Sequence, residues 1–474
     1  MTGETFDDQR RLAVSFVIDG DPVFAYTGWN LAHSLKTHLA IEWRDIHVQF
    51  ISDVACETVD AFQALGCSTH ELSRFGDGKY CNKLAQWDNL RAVEADVFLF
   101  LDTDMICVAN FAELIPSAAI GGKVVDLDNP RLPTLDTIFA QAGYSDRPPI
   151  IRAEARDAPT YRANCNGGFY SVPRQFADTL FDSWRRHALE LLGNNGPLAS
   201  AGKESHVDQV AFCMAVHETA LPFENLPSNL NYFLHFQGEH TLLNAGLPLC
   251  LLHYHNASID VLGLLAPAGA QNGREQAAVE EANRQIRNSF NTRFFWDLRY
   301  KRFPERGSGV GSRGYNLQYK REILRAVGAE SAGSVLDIGC GDLEVVHALD
   351  LHNYTGIDQS AQSLGLAASR RPDWRFLHAS DPNIPSAELV LCFEVAIHQE
   401  SLSDYRKLIQ LLADRTARTL IVSGYDEPPP NMDGNHMLFF HETLRESLRA
   451  TGKFASVLPI GAHSTVTIYR CDVG

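Results

Sequence analysis

The sequence predicts an α/β protein of two domains, each carrying ligand chemistry at the ends of its strands, and three observations lead there. An apolar run of strand length, Val97 to Leu101, passes directly into Asp102-Thr103-Asp104. A second, Ser334 to Ile338, breaks into Gly339-Cys340-Gly341. At 474 residues the chain exceeds what one hydrophobic core organises. The expected division is a first domain over 1–265, a linker over 266–285 and a second domain over 286–474.

Composition narrows the function classes. Apolar residues make up 45% of the chain, ordinary for a globular protein. A formal charge of -17 argues against a general nucleic-acid or anionic-membrane binder, which needs a basic surface. Ten cysteines are scattered singly without a Cys-x-x-Cys pair, so neither a zinc ribbon nor a redox motif is present. The acidic Met-Thr-Gly-Glu-Thr-Phe-Asp-Asp start lacks the features of a signal peptide, and no apolar run reaches membrane-spanning length. A cytoplasmic location with reduced thiols and no transmembrane segment is expected.

In chain order, Leu12 to Asp19 reads as a strand ending in Asp-Gly-Asp-Pro, and Trp29 to Ala40 follows with helical spacing. His47 to Ser52 reads as a strand, Glu57 to Leu65 as a helix stopped by Gly66, and Cys81 to Glu94 as a helix. Val97 onward is then an apolar strand that ends in the Asp-x-Asp. Such alternation predicts a mostly parallel sheet with helices on both faces and ligands at the strands' carboxyl ends, where Asp19, Asp102 and Asp104 fall.

Residues i and i+2 of an extended segment project to one side. Asp102 and Asp104 could therefore face one divalent cation, Mg or Mn with oxygen ligands, which would bind a diphosphate. The plainer alternative is a solvated turn capping the strand.

Farther on, Asn164 to Tyr170 contains Gly167-Gly168, where backbone can approach a ligand closely. Helices are expected over Gln175 to Leu192 and His206 to His217. A strand at Leu249 to Leu252 leads into His253-Tyr254-His255, which places a histidine where it could complete an Asp, Asp, His metal set.

Together these pieces resemble the GT-A type nucleotide-sugar glycosyltransferases, in particular the family of glycogenin and the lipopolysaccharide galactosyltransferases. The resemblance covers roughly residues 10–260 and rests on Asn82-Lys83-Leu84, Leu101-Asp102-Thr103-Asp104, Asn166-Gly167-Gly168, Asp208-Gln209 and His253-Tyr254-His255. It implies that Asp102, Asp104 and His253 bind a metal, with His255 the alternative histidine. It further implies that Lys83 touches the diphosphate or donor sugar, that Asn166, Gly167, Asp208 and Gln209 line the sugar pocket, and that transfer retains the anomeric configuration. The family's Gly-x-x-Lys-Pro-Trp after the histidine is absent; the chain reads Asn256-Ala257-Ser258-Ile259-Asp260 there.

Ala266 to Glu281 has prolines, glycines and alanines without a strand pattern and reads as linker. Beyond it come Trp296, a glycine-rich Gly307 to Gly314 and a helix near Lys320 to Val327. The Asp337-Ile338-Gly339-Cys340-Gly341 turn follows. Glu344 stands where a dinucleotide fingerprint needs a third glycine, which argues against NAD. Strands are expected at Tyr354 to Asp358, Trp374 to Ala379 leading to Asp381, and Glu388 to Phe393, with a closing hairpin from Phe454 to Ile460 and Thr465 to Cys471.

This second pattern resembles the class I S-adenosylmethionine-dependent methyltransferases, with a Rossmann-like fold, over roughly 290–474. The resemblance implies that Asp337, Gly339 and Gly341 shape the cofactor pocket, that Asp358 binds the ribose and that Asp381 binds the adenine. Methylation of a sugar hydroxyl benefits from a positioned base. His398 is the first candidate, ahead of His436 and His441, with a structural histidine as the alternative for each.

The expected activity is bifunctional. A sugar passes from a nucleotide-sugar donor to a glycan or lipid-linked saccharide acceptor, and the glycan is methylated, on oxygen, by S-adenosylmethionine. The rivals are a methyltransferase whose first domain is a non-catalytic glycan-binding module, and two unrelated activities fused in one chain.

Overall fold

A computed structural model describes residues 10–154, 158–236, 240–255, 258–268, 272–430, 432 and 435–474. The chain divides into two compact α/β units, one ending at 260 with 264–289 added, the other comprising 261–263 and 290–474.

The first unit contains β1 (Leu12–Ile18), β2 (Ile46–Ile51), β3 (Ser68–Leu72), β4 (Val97–Leu101), β5 (Met105–Cys107) and β6 (Ile120–Val124). It continues with β7 (Ile150–Arg152), β8 (Pro159–Tyr161), β9 (Cys165–Pro173), β10 (Phe223–Asn225), β11 (Tyr232–Phe233) and β12 (Leu251–His253). The main sheet runs β10-β6-β9-β4-β1-β2-β3, with β9 antiparallel to both its neighbours and the other pairs parallel. A smaller sheet runs β11-β12-β5, and β7 pairs with β8. β4 is apolar throughout, and β1 and β2 are buried nearly along their length, Ser15, His47 and Gln49 included, because both faces of the sheet are covered. On one face, Phe98 and Phe100 meet Trp87, Phe181 and Trp184, all buried, the last two from the helix Arg174–Gly193. Burying each such ring contributes roughly 1.5–3 kcal/mol.

Several local expectations differ from the structure. The first helix begins at Pro22, seven residues before Trp29: Asp21 accepts from Val23 N at 3.0 Å, and the proline occupies the first turn, where its missing N–H costs nothing. Residues 81–94 form a 3₁₀ segment, Tyr80–Ala85, and a short helix, Gln86–Leu90, instead of one continuous helix. The strand Val97–Leu101 does end at the Asp-x-Asp, and what the sequence did not indicate is that the chain resumes directly as Met105–Cys107 in a different sheet.

Residues 273–288, read above mainly as linker, form a helix counted with the first unit. Asn272 and Glu275 close a capping box at its start, and Ala278, Val279, Ala282 and Ile286 bury one stripe.

The second unit contains β13 (Val335–Ile338), β14 (Tyr354–Asp358), β15 (Arg375–His378), β16 (Ala387–Cys392), β17 (Thr416–Gly424), β18 (Phe454–His463) and β19 (Val466–Val473). They form one sheet in the order β15-β14-β13-β16-β17-β19-β18, parallel except for the terminal β17-β19-β18 pairings. Alternate residues feed two cores, Leu336, Ile338, Val390 and Cys392 on one side and Val335, Leu389 and Leu391 on the other. Strand order reverses at β13, with β14 on one side and β16 on the other, so a crevice opens at their carboxyl ends.

The ten cysteines are unpaired, and all but Cys56 are buried. Among the described residues no helix is long and apolar enough to cross a membrane.

Candidate functional site

In the first unit the break between β4 and β5 sends the two aspartates of the Asp-x-Asp in different directions. Their backbones are held by different neighbours: Asp102 N bonds to Gly168 O, whereas Asp104 O receives Tyr254 N from the turn after β12. Asp102 Oδ1 accepts from Lys83 Nζ at 3.0 Å. The same amine reaches Gly167 O at 2.8 Å and lies 3.3 Å from Asp208 Oδ2. A Cβ at Gly167 would stand 2.9 Å from that amine and 3.2 Å from Asp208 Oδ2, so a side chain there would push the lysine tip from its place.

Burial alone would lower the pKa of Lys83, but Asp102 and Asp208 outweigh it and raise it, keeping the amine charged. Asp208 opens the helix Val207–Thr219 and is buried. Desolvation raises its pKa to about 6, against the opposing pull of Lys83. Its Oδ1 has no hydrogen-bond partner among the described residues. Gln209 lies on the same side, its Cγ within 3.5 Å of where a Gly167 Cβ would be.

Asp104 instead faces two imidazoles. His253 Nε2 is 3.3 Å from Asp104 Oδ1 and His255 Nδ1 is 3.5 Å from Asp104 Oδ2. Burial disfavours the Asp104 carboxylate, yet these neighbours hold it well below the usual range. His253 Nδ1 meets Asn231 Oδ1 at 3.0 Å, and Asn231 Nδ2 donates to Asn166 Oδ1 at 3.1 Å. Asn166 Oδ1 also accepts from Gly168 N at 2.9 Å, so Asn166 supports the loop and the histidine. Asp19, at the end of β1, is bound by Arg74 at 2.8 Å, and Arg74 also holds Asp53.

The structure thus brings Lys83, Asp102, Gly167 and Asp208 into one contact group and Asp104, His253 and His255 into another, linked through the 166–168 loop. A larger concavity of about 1,010 Å³ lies by the amino ends of β1 and β4, lined by Arg11, Asp45 and Asp96. Arg11 there pairs with Asp45 and its backbone N–H bonds to Asp96, while Arg10 bonds to the backbone oxygens of Ile115 and Ala112.

In the second unit, a cavity of about 440 Å³ opens at the reversal of strand order, a volume within the roughly 300–1,000 Å³ of small-molecule sites. Asp337, Gly339, Asp358 and His398 line it. Gly339 and Gly341 have φ of 78° and 54°, left-handed values that let the chain turn sharply after β13. Asp358 accepts from Gly341 N and Ser360 N, each at 2.9 Å, so its carboxylate ties the glycine turn to β14. Burial raises its pKa. Burial also raises that of Asp337, to about 7, despite a 2.8 Å hydrogen bond from the Tyr354 hydroxyl. Asp381 is not part of this lining; Ala379 is, and Asp381 Oδ1 accepts from Asn383 N instead.

His398 Nδ1 lies 2.7 Å from Met437 O, which can only accept, so Nδ1 carries the proton and Nε2 the lone pair. Burial lowers its pKa and keeps it neutral. His436 bonds to Leu262 O and His441 to Gln399 O, and neither lines the cavity.

Sequence reasoning passed over Glu394, another lining residue, although it stands four positions before His398 at the same strand end. Lys320 and His463 bracket its carboxylate at 2.7 and 2.9 Å, and a Cβ at Gly311 would collide with it. Against the cost of burial, His463 and Lys320 lower its pKa to about 2. No local motif announces these partners, which lie 74 residues before and 69 after it (394 − 320; 463 − 394).

No family model matches the chain, and no curated protein does. Among solved structures it is similar to magnesium protoporphyrin IX methyltransferase from Synechocystis PCC 6803 with bound SAM, at 17% identity over 39% of this chain and 98% of that one, TM-score 0.31. It is also similar to apo mouse xyloside xylosyltransferase 1, at 15% identity over 52% and 98%, TM-score 0.34. A third is N-methyltransferase NodS from Bradyrhizobium japonicum with S-adenosyl-L-homocysteine, at 16% identity over 35% and 90%, TM-score 0.28. At this level of likeness, function is argued from the sites themselves.

Proposed function

We propose that the first unit is a metal-dependent GT-A type glycosyltransferase that passes a sugar from a nucleotide donor to a glycan or lipid-linked saccharide, with retention. We propose that the second is a class I methyltransferase that methylates the glycan on oxygen using S-adenosylmethionine. What carries the reading is that each unit ends its central strands on a built polar site of matching chemistry: a charged lysine between carboxylates beside an Asp-His-His cluster in one, a glycine turn tied to a buried carboxylate in the other.

The residues fit the implied groups. Ligand atoms of Asp104, His253 and His255 lie within 4.8 Å of one another, a spacing a divalent cation can bridge. When bound, Mn or Mg supplies positive charge to the donor diphosphate. Lys83 adds a second positive charge, and its amine, already shared by Asp102 and Asp208, needs little reorganisation to engage an anionic or hydroxylated ligand. The unpartnered Asp208 Oδ1 and nearby Gln209 offer an acceptor and an amide for sugar hydroxyls. Gly167 and Gly168 let the donor approach backbone.

In the second unit the bound cofactor supplies an electrophilic methyl group. Asp358 accepts hydrogen bonds from ribose hydroxyls, while Asp337 and the 339–341 turn shape the pocket. Asp381 is assigned to the adenine only on the family pattern. The Nε2 lone pair of neutral His398 takes the proton of the acceptor hydroxyl.

The test is product analysis with both donors: wild-type chain incubated with Mn, nucleotide sugars and a saccharide panel transfers sugar, and with labelled S-adenosylmethionine incorporates methyl. Asp104→Asn is expected to lose the first and keep the second, and His398→Gln the reverse. Loss of both in each single variant would refute two separate sites.

A further inference from the structure

Within the proposed reading of the first unit as a metal-dependent transferase, we infer that its cation is held by Asp104, His253 and His255, a two-histidine, one-carboxylate set, and that Asp102 is not a protein ligand but the partner of Lys83. The consequence is a preference for Mn, Co or Zn over Mg.

Four features support this assignment. First, Asp102 follows a strand of one sheet and Asp104 precedes a strand of another, and the group of side chains at metal-ligand spacing contains Asp104 and not Asp102. Asp102 is committed to Lys83 at 3.0 Å. Second, both carboxylate oxygens of Asp104 face an imidazole nitrogen, at 3.3 and 3.5 Å, and the three side chains converge within 4.8 Å. Third, His253 is oriented as a ligand. Asn231 Oδ1 takes the Nδ1 proton while Asn231 Nδ2 is spent on Asn166, which leaves the bare Nε2 directed at Asp104. Gly168 makes room for the ring, since a Cβ there would lie 2.6 Å from His253 Cε1.

Fourth, His255 is built into place. It adopts φ of 48°, a left-handed value uncommon for a residue with a side chain. Its ring stacks on His253 with centroids 4.3 Å apart, and His235, paired with Asp126 at 3.3 Å, packs edge-on at 4.1 Å. Imidazoles suit first-row transition ions, whereas Mg favours oxygen ligands and near-ideal octahedral geometry. Asp104, His253 and His255 would hold the ion, which would supply positive charge to diphosphate oxygens.

Tag-free, chelator-stripped full-length chain is titrated calorimetrically with MnCl2, CoCl2, ZnCl2 and MgCl2 without nucleotide. Mn is expected to bind at least tenfold more tightly than Mg. His255→Ala is expected to weaken Mn at least tenfold, and Asp102→Asn to leave it within about twofold. Electron spin echo envelope modulation on the Mn-loaded chain is expected to count two imidazole nitrogens in wild type and one in His255→Ala. An unchanged thermal melt of the stripped variant, or the milder His255→Gln, keeps misfolding separate.

Equal losses in Asp102→Asn and Asp104→Asn with a silent His255→Ala would overturn the assignment while leaving a metal-dependent transferase standing. Absence of Mn binding in wild type, or one nitrogen only, also overturns it. Mn bound as described but with no response to UDP or other nucleoside diphosphates upholds the ligand set and removes the transferase reading.

Discussion

Replacing Asp358 probes the second unit where geometry and energy are most explicit. Its two carboxylate oxygens take Gly341 N and Ser360 N at 2.9 Å each and retain acceptor capacity for the ribose hydroxyls of the proposed cofactor. A hydrogen bond to an ionised group contributes about 1.5–3 kcal/mol. Losing even one weakens binding by at least about tenfold, since tenfold corresponds to about 1.4 kcal/mol. Asp358→Ala removes both and also releases the Gly341 turn; Asp358→Asn keeps one acceptor oxygen and is expected to fall between.

Burial raises the Asp358 pKa, so cofactor affinity should weaken as pH falls and the carboxylate takes up a proton. Calorimetric titration of S-adenosylhomocysteine into the three proteins decides this. Unchanged affinity in Asp358→Ala would place the ribose elsewhere and refute the strand assignment.

Other consequences can be measured on the same material. Asp337 has a folded-state pKa near 7 against about 3.9 unfolded, so the folded state binds the extra proton between these values and loses stability as pH rises through them. Asp337→Asn should therefore raise the melting temperature of the cofactor-free chain at pH 8 and have no such effect below about pH 4; a pH-independent difference would contradict this. Lys123 and Glu154 form a fully buried pair at 3.2 Å, and Glu154→Gln, which leaves the amine uncompensated, should cost about 3–5 kcal/mol in chemical denaturation. A cost within 1 kcal/mol, roughly that of a surface pair, would show that the lysine is solvated. A fragment starting at Phe290 should fold and bind S-adenosylhomocysteine, since about 190 residues support an independent core; an insoluble product would move the boundary.

The sequence announced what depends on neighbours in the chain. Gly339 and Gly341 were legible because only glycine turns so sharply after a buried strand, and the two apolar cores because strands and helices alternate. The short strand beyond Asp104 was not: apolar Met105 and Ile106 carry no mark of a second sheet, and only their pairing with His253 and Leu252 of β12, far along the chain, decides that the strand must leave its sheet. That one event redirects Asp102 to Lys83 and Asp104 to the histidines. Asn231, Lys320 and His463 were hidden for the same reason, being partners by folding alone. The helix at 273–288 was hidden by its low apolar content, although Asn272 and Glu275 signal its start. At Asp381 the family pattern names a loop carboxylate outside the cavity lining, one oxygen of which accepts from Asn383 N, since nothing in the sequence fixes where a loop carboxylate aims.

The most direct test of two transferase sites in one chain is a thermal-denaturation screen of the full-length protein against nucleotide sugars with and without Mn, run beside S-adenosylhomocysteine. Binding raises folded-state stability by mass action. The sites described above predict a Mn-dependent rise with at least one nucleotide sugar, abolished by Asp104→Asn, and a Mn-independent rise with S-adenosylhomocysteine, abolished by Asp358→Ala and untouched by Asp104→Asn. A chain stabilised by S-adenosylhomocysteine alone, with no nucleotide sugar shifting it at saturating Mn, would contradict the first site and leave a methyltransferase carrying a non-catalytic partner unit.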